Sequence, residues 1–328
     1  MPHYQDIEAA YARIKHMVIK TPLLTSDRLN DILGYRLFIK AEPLQRTGAF
    51  KFRGACNAIL SLADTERSVI AFSSGNHAQA IALVARLTGR HATIIMPQDA
   101  PQAKIDATRG YGAEVVLYDR YKESREKIGE TLATEKQAIL IKPYDDEAVI
   151  AGQGTIGIEL TEQCNAQDIR PNHLICCAGG GGLISGLSIA FHQHFEDTKI
   201  YSAEPADFDD IAKSLQAGKK IINDPDARSI CDAIVTPTPG DITFPIMQTH
   251  LTAGFAASDD DVLRAMQTAW RYFKLVVEPG GAVALAAGLS LADNLQQDVT
   301  GQDVVVVASG GNADEALFTK ALAMPDAI

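Results

Sequence analysis

Short apolar runs alternate along the chain with longer stretches in which apolar residues recur every three or four positions. Leu37-Phe38-Ile39, Val69-Ile70-Ala71-Phe72 and Ala92-Thr93-Ile94-Ile95-Met96 predict strands, as do 114–118, Ile139-Leu140-Ile141, 174–178, Ile200-Tyr201-Ser202 and 304–308. Several lack polar alternation, the pattern of strands covered on both faces. Helical periodicity falls between them, over 78–87, 122–136, 154–163, 183–194 and 259–273. Strand–helix alternation at this spacing predicts an open, mostly parallel α/β sheet. The segment 223–245, rich in Pro, Asp and Thr, predicts a surface connection.

Three predicted strands run into small, hydrogen-bonding residues. Phe72 leads to Ser73-Ser74-Gly75-Asn76-His77, Ala178 to Gly179-Gly180-Gly181-Gly182, and Ala308 to Ser309-Gly310-Gly311-Asn312. The carboxyl ends of strands are where open α/β sheets bind ligands, so three such turns point to one site. Four successive residues without Cβ let the backbone curl around a ligand, and their N–H groups at a helix start form a phosphate cradle. The spacing is neither that of a dinucleotide fold nor that of a Walker loop.

Composition narrows the classes. A chain of 328 residues with a net charge of −11 suits about two domains. The acidic balance, with scattered Lys and Arg, argues against nucleic acid and anionic membranes as partners. The five cysteines form no CxxC pair and read as free thiols of a reducing, cytoplasmic setting. No apolar run approaches the roughly 18 residues of a membrane span.

The segment Gly48-Ala49-Phe50-Lys51-Phe52-Arg53-Gly54 places a lysine among aromatics, where burial would free a neutral, nucleophilic amine. Alone this is weak, since most lysines are exposed. Taken with Ser-Ser-Gly-Asn-His, the glycine run and Ser-Gly-Gly-Asn, in that order from about Ile14 to Asn312, the chain resembles the fold type II pyridoxal-phosphate enzymes. Within these it resembles the branch of serine racemases, serine/threonine dehydratases and 3-hydroxyaspartate dehydratases.

The resemblance implies a tryptophan synthase β-like fold: two open, twisted, mostly parallel sheet domains. A large cofactor-binding domain is expected from 1–66 and 146–328, and a small mobile domain from 67–145. Lys51 matches the lysine that holds pyridoxal 5'-phosphate and takes the Cα proton. Phe50 matches the aromatic beside the ring, and Asn76 the partner of the phenolic oxygen. Gly179, Gly180, Gly181 and Gly182 match the phosphate loop, and Ser309 the residue facing the ring nitrogen. A serine there is a weak partner, which suits elimination over transamination. Ser73, Ser74, Asn76 and His77 match the substrate-carboxylate grip, and Ser74 also matches the residue serving the opposite face of Cα in racemases. His77 reads equally as a plain helix-start residue.

Glu204, the Phe208 carbonyl and Asp210 match a divalent-cation site, whose oxygen ligands suit Mg²⁺, Mn²⁺ or Ca²⁺. Ser124-Arg125-Glu126 resembles a segment of serine racemases and hydroxyaspartate dehydratases, where Arg125 would bind a second substrate carboxylate. No acid lies three or four residues from Arg125 to pair with it, yet an exposed, unpaired arginine is an equally good reading. Ala49 and Ala233 stand where the family has serine and glycine, and Tyr144 where serine racemases of the mammalian type have asparagine.

The expected activity is ammonia loss from a β-hydroxy α-amino acid to give a 2-oxo acid, by a homodimer acting on a small-molecule amino acid. Serine/threonine dehydration leads on base rate. 3-Hydroxyaspartate dehydration comes close behind it on the Ser124-Arg125 segment and the cation motif, and serine racemisation third, with Ser74 for it and Tyr144 against it. A catalytically silent amino-acid sensor and a β-replacement enzyme fit the motifs less well.

Overall fold

The computed structural model describes residues 1–64, 67–73, 75–100 and 102–325. Its strands are β1 (Leu23–Thr25), β2 (Arg36–Ala41), β3 (Val69–Phe72), β4 (Ala92–Pro97), β5 (Glu114–Tyr118), β6 (Ile139–Leu140), β7 (His173–Cys177), β8 (Lys199–Pro205), β9 (Ala253–Ala257) and β10 (Asp303–Ala308). They form two sheets, ordered β1-β2-β10-β7-β8-β9 and β5-β4-β3-β6. Every pairing is parallel except that of β1 with β2.

The Val-rich strand β10 is buried at every position and lies between β2 and β7, which explains its unbroken apolar run. The eight predicted strands all form. β1 and β9 carry no strand signal of their own. β1 has three residues, and β9 reads Ala-Gly-Phe-Ala-Ala, so each is set by pairing with its neighbour.

The predicted helix over 122–136 starts at Arg125, because the Ser124 side chain accepts from the Lys127 N–H. The one over 154–163 is the inner part of Glu147–Ala166, capped by Asp146. The helix Asp259–Thr268 continues as a π-helical turn through Phe273. The helices Glu147–Ala166 and Gly182–His192 meet backbone to backbone: a Cβ on Gly186 would lie 2.7 Å from the Gly154 nitrogen.

The helix Lys51–Leu60 is anchored by a buried charge cluster. Arg53 donates to Glu42 through Nε and Nη2 (both 2.8 Å) and to Glu159 through Nη1 (2.7 Å) and Nη2 (2.8 Å). Lys40 Nζ donates to the same Glu159 at 2.7 Å and to the Thr21 carbonyl at 2.7 Å. Two cations thus face two carboxylates, all four side chains removed from solvent. Two residues before Arg53, the helix begins at Lys51.

The expected surface connection over 223–245 is corrected. Residues 232–237 line the cavity that holds Lys51, and Cys231 is buried. Asn223 explains how an irregular segment can lie inward: it donates to Asp210 Oδ1 (2.5 Å) and the Thr236 carbonyl (2.9 Å), satisfying polar groups that would otherwise need water. The segment also ends in the helix Thr243–His250.

Candidate active site

The carboxyl ends of β3, β7 and β10 converge with the start of the helix Lys51–Leu60 on one cavity. Phe50, Lys51, Ser73, Asn76, His77, Arg125, the four glycines and Ser309 all line it. Ser74 lies outside the described residues.

Lys51 is the buried centre. Its Nζ donates to the Pro143 carbonyl at 2.7 Å and sits 5.1 Å from the centroid of the Phe50 ring. Burial pulls its ammonium down to about 8, which makes a neutral amine available near neutral pH. The Phe50 N–H donates to the Ser309 carbonyl at 2.9 Å, tying the lysine segment to the end of β10.

Asn76 is held at both ends of its amide. Its Nδ2 donates to Glu278 Oε1 at 2.5 Å, and its Oδ1 accepts from Asn312 Nδ2 at 2.7 Å. This fixes which end is the donor, and the second Nδ2 hydrogen remains for a ligand oxygen. Glu278 is buried and pushed up to about 7 by desolvation. Sequence reasoning passed over it. Its signal was an acid between an apolar run and Pro279-Gly280-Gly281, immediately ahead of a helix.

His77 is 2% exposed. Its Nε2 lies 3.2 Å from the Ile141 carbonyl, which can only accept, so Nε2 carries the hydrogen. Burial, with the nearby Lys51 charge, pushes the ring down to about 3, so it stays neutral. As held, the ring offers no N–H to a carboxylate. The first-turn backbone N–H groups of the helix Asn76–Leu87, whose N-cap Gly75 supplies no side-chain cap, could serve such an anion instead.

Arg125 opens the helix Arg125–Glu135 with its side chain 43% exposed. Its guanidinium lies 5.1 Å from the Phe72 ring centroid, and Nε donates to Glu126 Oε1 at 2.8 Å. The sequence offered it no helix-spaced acid; at the helix start it folds back on the adjacent one instead.

The cavity suits a phosphorylated ring. The N–H groups of Gly179, Gly180 and Gly181 find no acceptor among the described residues, and Gly181 has φ +90°. A Cβ on Gly180 would enter the Tyr144 ring, and one on Gly179 would lie 2.8 Å from the Ile234 carbonyl oxygen. Only glycines let Tyr144 and the 231–237 segment close on this loop. Across the cavity, the one hydrogen-bond partner of the Ser309 hydroxyl among the described residues is Cys177 Sγ, at 3.1 Å. Cys177, a core residue by its apolar sequence surroundings, lines the cavity as well. The five cysteines are buried free thiols, as expected.

A separate acidic site lies beyond β8. Both Glu204 oxygens accept at 2.9 Å, from the Ile211 and Ala212 N–H groups. Burial, reinforced by the Asp210 charge, pushes Glu204 well above the usual carboxylate range, and burial takes Asp210 to about 7. Asp210 Oδ2 is buried without a partner. An orphaned oxygen and two carboxyls resisting ionisation fit a cation beside them. Among the described residues no group of three or more His, Cys, Asp and Glu is suited to a metal, so carbonyl oxygens and water would complete the shell.

The family described as pyridoxal-phosphate dependent enzyme matches residues 14–310. The L-threo-3-hydroxyaspartate ammonia-lyase of Saccharomyces cerevisiae is 44% identical over 317 residues, covering 96% of this chain and 94% of its own. The serine racemase of Schizosaccharomyces pombe is 39% identical over 316 residues, covering 96% and 95%. The crystal structure of the threonine deaminase of T.th. superimposes with a TM-score of 0.89 at 39% identity, over 95% of this chain and 99% of that one. The two-sheet α/β fold expected from the motifs is therefore the fold observed. No helix among the described residues is long and apolar enough to cross a membrane.

Proposed function

We propose that this chain, which belongs to the pyridoxal-phosphate-dependent enzyme family, is an ammonia-lyase that dehydrates a β-hydroxy α-amino acid, with 3-hydroxyaspartate as its substrate class. One observation carries the choice of substrate: Arg125 lines the same cavity as Lys51. A cation there suits a second substrate carboxylate, which serine and threonine lack. The name of the 44% identical yeast relative supports the same reading.

Bound pyridoxal phosphate supplies an electron-withdrawing ring that acidifies the Cα–H of an amino acid joined to it. The chain's residues do the rest. The N–H groups of Gly179 to Gly182 would hold the phosphate, Asn76 would donate to the phenolic oxygen, and Ser309 would serve the ring nitrogen. The N–H groups at the start of the helix Asn76–Leu87 bind the α-carboxylate. Lys51, with its lowered pKa, takes the Cα proton as a neutral amine. As the Cα–Cβ double bond forms, the β-hydroxyl leaves and takes up a proton as water; the released enamine tautomerises to an imine, whose hydrolysis gives ammonia and a 2-oxo acid.

Residues 67–145 act as the small mobile domain, and closing it on the remainder excludes water around Lys51. Glu204, the Phe208 carbonyl and Asp210 hold a divalent cation, Mg²⁺ first. The working form is a cytoplasmic homodimer.

Serine/threonine dehydration is the second reading, favoured by the Glu126 carboxylate, which already partners Arg125. Ammonia release from L-serine, L-threonine and the 3-hydroxyaspartate isomers, by the wild type and Arg125→Met, separates the two. Preference for one hydroxyaspartate isomer, lost in the variant through a raised KM, is expected. Equal turnover of serine and threonine by both proteins would overturn the substrate assignment.

A further inference from the structure

Cys177 and Ser309 sit at the ends of adjacent parallel strands. Cys177 closes β7 and Ser309 follows β10, with Val307 in register with Cys176. Sγ and Oγ are 3.1 Å apart, and both residues line the cavity that holds Lys51. We propose that Cys177 is a positioning residue: its thiol donates to the Ser309 oxygen and so commits the Ser309 hydrogen to the cofactor's ring nitrogen. The inference rests on the proposed role of Ser309.

A serine hydroxyl has one hydrogen and two lone pairs. With no other described partner, the hydroxyl would be free to turn its hydrogen either to the sulfur or into the cavity. A ring nitrogen is a better acceptor than a thiol sulfur and the thiol carries a hydrogen of its own, so with the cofactor bound the pair would settle as S–H donating to Oγ. That leaves the ring nitrogen as the target of the O–H. A hydroxyl that accepts one hydrogen bond also becomes a better donor of the next, by about 10–30% per bond. Ser309, a neutral and weak partner for a ring nitrogen, is thereby strengthened without the charge an acidic residue would bring.

The test uses holoenzyme loaded with pyridoxal phosphate carrying ¹⁵N in the ring, and reads the ring-nitrogen chemical shift, which reports hydrogen bonding at that atom. Ser309→Ala sets the scale. Cys177→Ala is expected to move the signal toward the Ser309→Ala position by about 10–30% of that displacement. Cys177→Ser keeps a donor and cannot form a thiolate, so it is expected to stay at the wild-type position or pass to its far side.

Should Ser309→Ala move the signal while Cys177→Ala coincides with the wild type, Ser309 keeps its role and the Cys177 inference falls. Should Cys177→Ser move with Cys177→Ala toward Ser309→Ala, the sulfur acts otherwise than as a donor, and the inference is again overturned. A Ser309→Ala signal at the wild-type position would remove the role of Ser309 and the inference with it.

Discussion

Arg53→Met tests how the fold delivers Lys51 to the site. Methionine keeps the length and the apolar stem but leaves Glu42 and Glu159 facing Lys40 alone, one uncompensated charge where no side chain reaches solvent. Removing one partner of a buried ion pair costs about 3–5 kcal/mol. At about 2.1 cal/mol/K per residue, the unfolding entropy of such a chain is about 0.7 kcal/mol/K, so Tm should fall by about 4–7 °C at pH 7.5. Thermal denaturation followed by far-ultraviolet circular dichroism reads it.

The pH dependence has a definite sign. In the wild type, burial opposes ionisation of Glu42, but Arg53 more than offsets this and holds the carboxyl below its usual range. Its contribution is present above the unfolded pKa and is lost as pH falls through the folded one. In the variant the folded pKa rises above the unfolded value, so the penalty is full at neutral pH. It shrinks below the raised pKa by about 1.4 kcal/mol per pH unit for one proton. The gap between the proteins should therefore narrow from pH 7.5 to 5.5, and adding Glu42→Gln should recover part of it. An unchanged Tm, or a gap that widens on acidification, would refute the reasoning.

Gly180→Ala places a methyl in the Tyr144 ring, so cofactor affinity measured by equilibrium dialysis should fall at least tenfold, about 1.4 kcal/mol, while Ala substitution at the open Gly110 should not alter it. A chelator should lower Tm relative to added Mg²⁺, and Asp210→Asn should abolish the difference; identical wild-type Tm under both conditions would count against the cation site. The ring of His77, held near 3 by burial, should remain a neutral Nε2–H tautomer between about pH 5 and 8 in ¹⁵N spectra.

Much of the site was legible because its residues follow strand ends. Ser73, Gly179 and Ser309 each come next to a buried strand visible as an apolar run, and parallel sheets bring such ends together. What escaped depends on tertiary partners. Glu278 reads as an isolated acid until Asn76 is placed against it. Cys177 looks like core until β10 brings Ser309 beside it. The 223–245 segment has loop composition, and only Asn223, bonded to Asp210 and Thr236, reveals that it folds inward. β9 lacks β-branched residues and exists because β8 offers it an edge. The tautomer of His77 depends on Ile141, a distant carbonyl that no local pattern predicts.

The most direct test of the account is to trap the cofactor on the chain. The protein loaded with pyridoxal phosphate is reduced with borohydride, digested and mapped by mass spectrometry, beside Lys51→Ala. A single phosphopyridoxyl adduct on Lys51 is expected, and in the variant no adduct, no absorbance of lysine-bound cofactor and no ammonia release from any hydroxy amino acid. An adduct on another lysine, or turnover in Lys51→Ala at the wild-type rate, would contradict it.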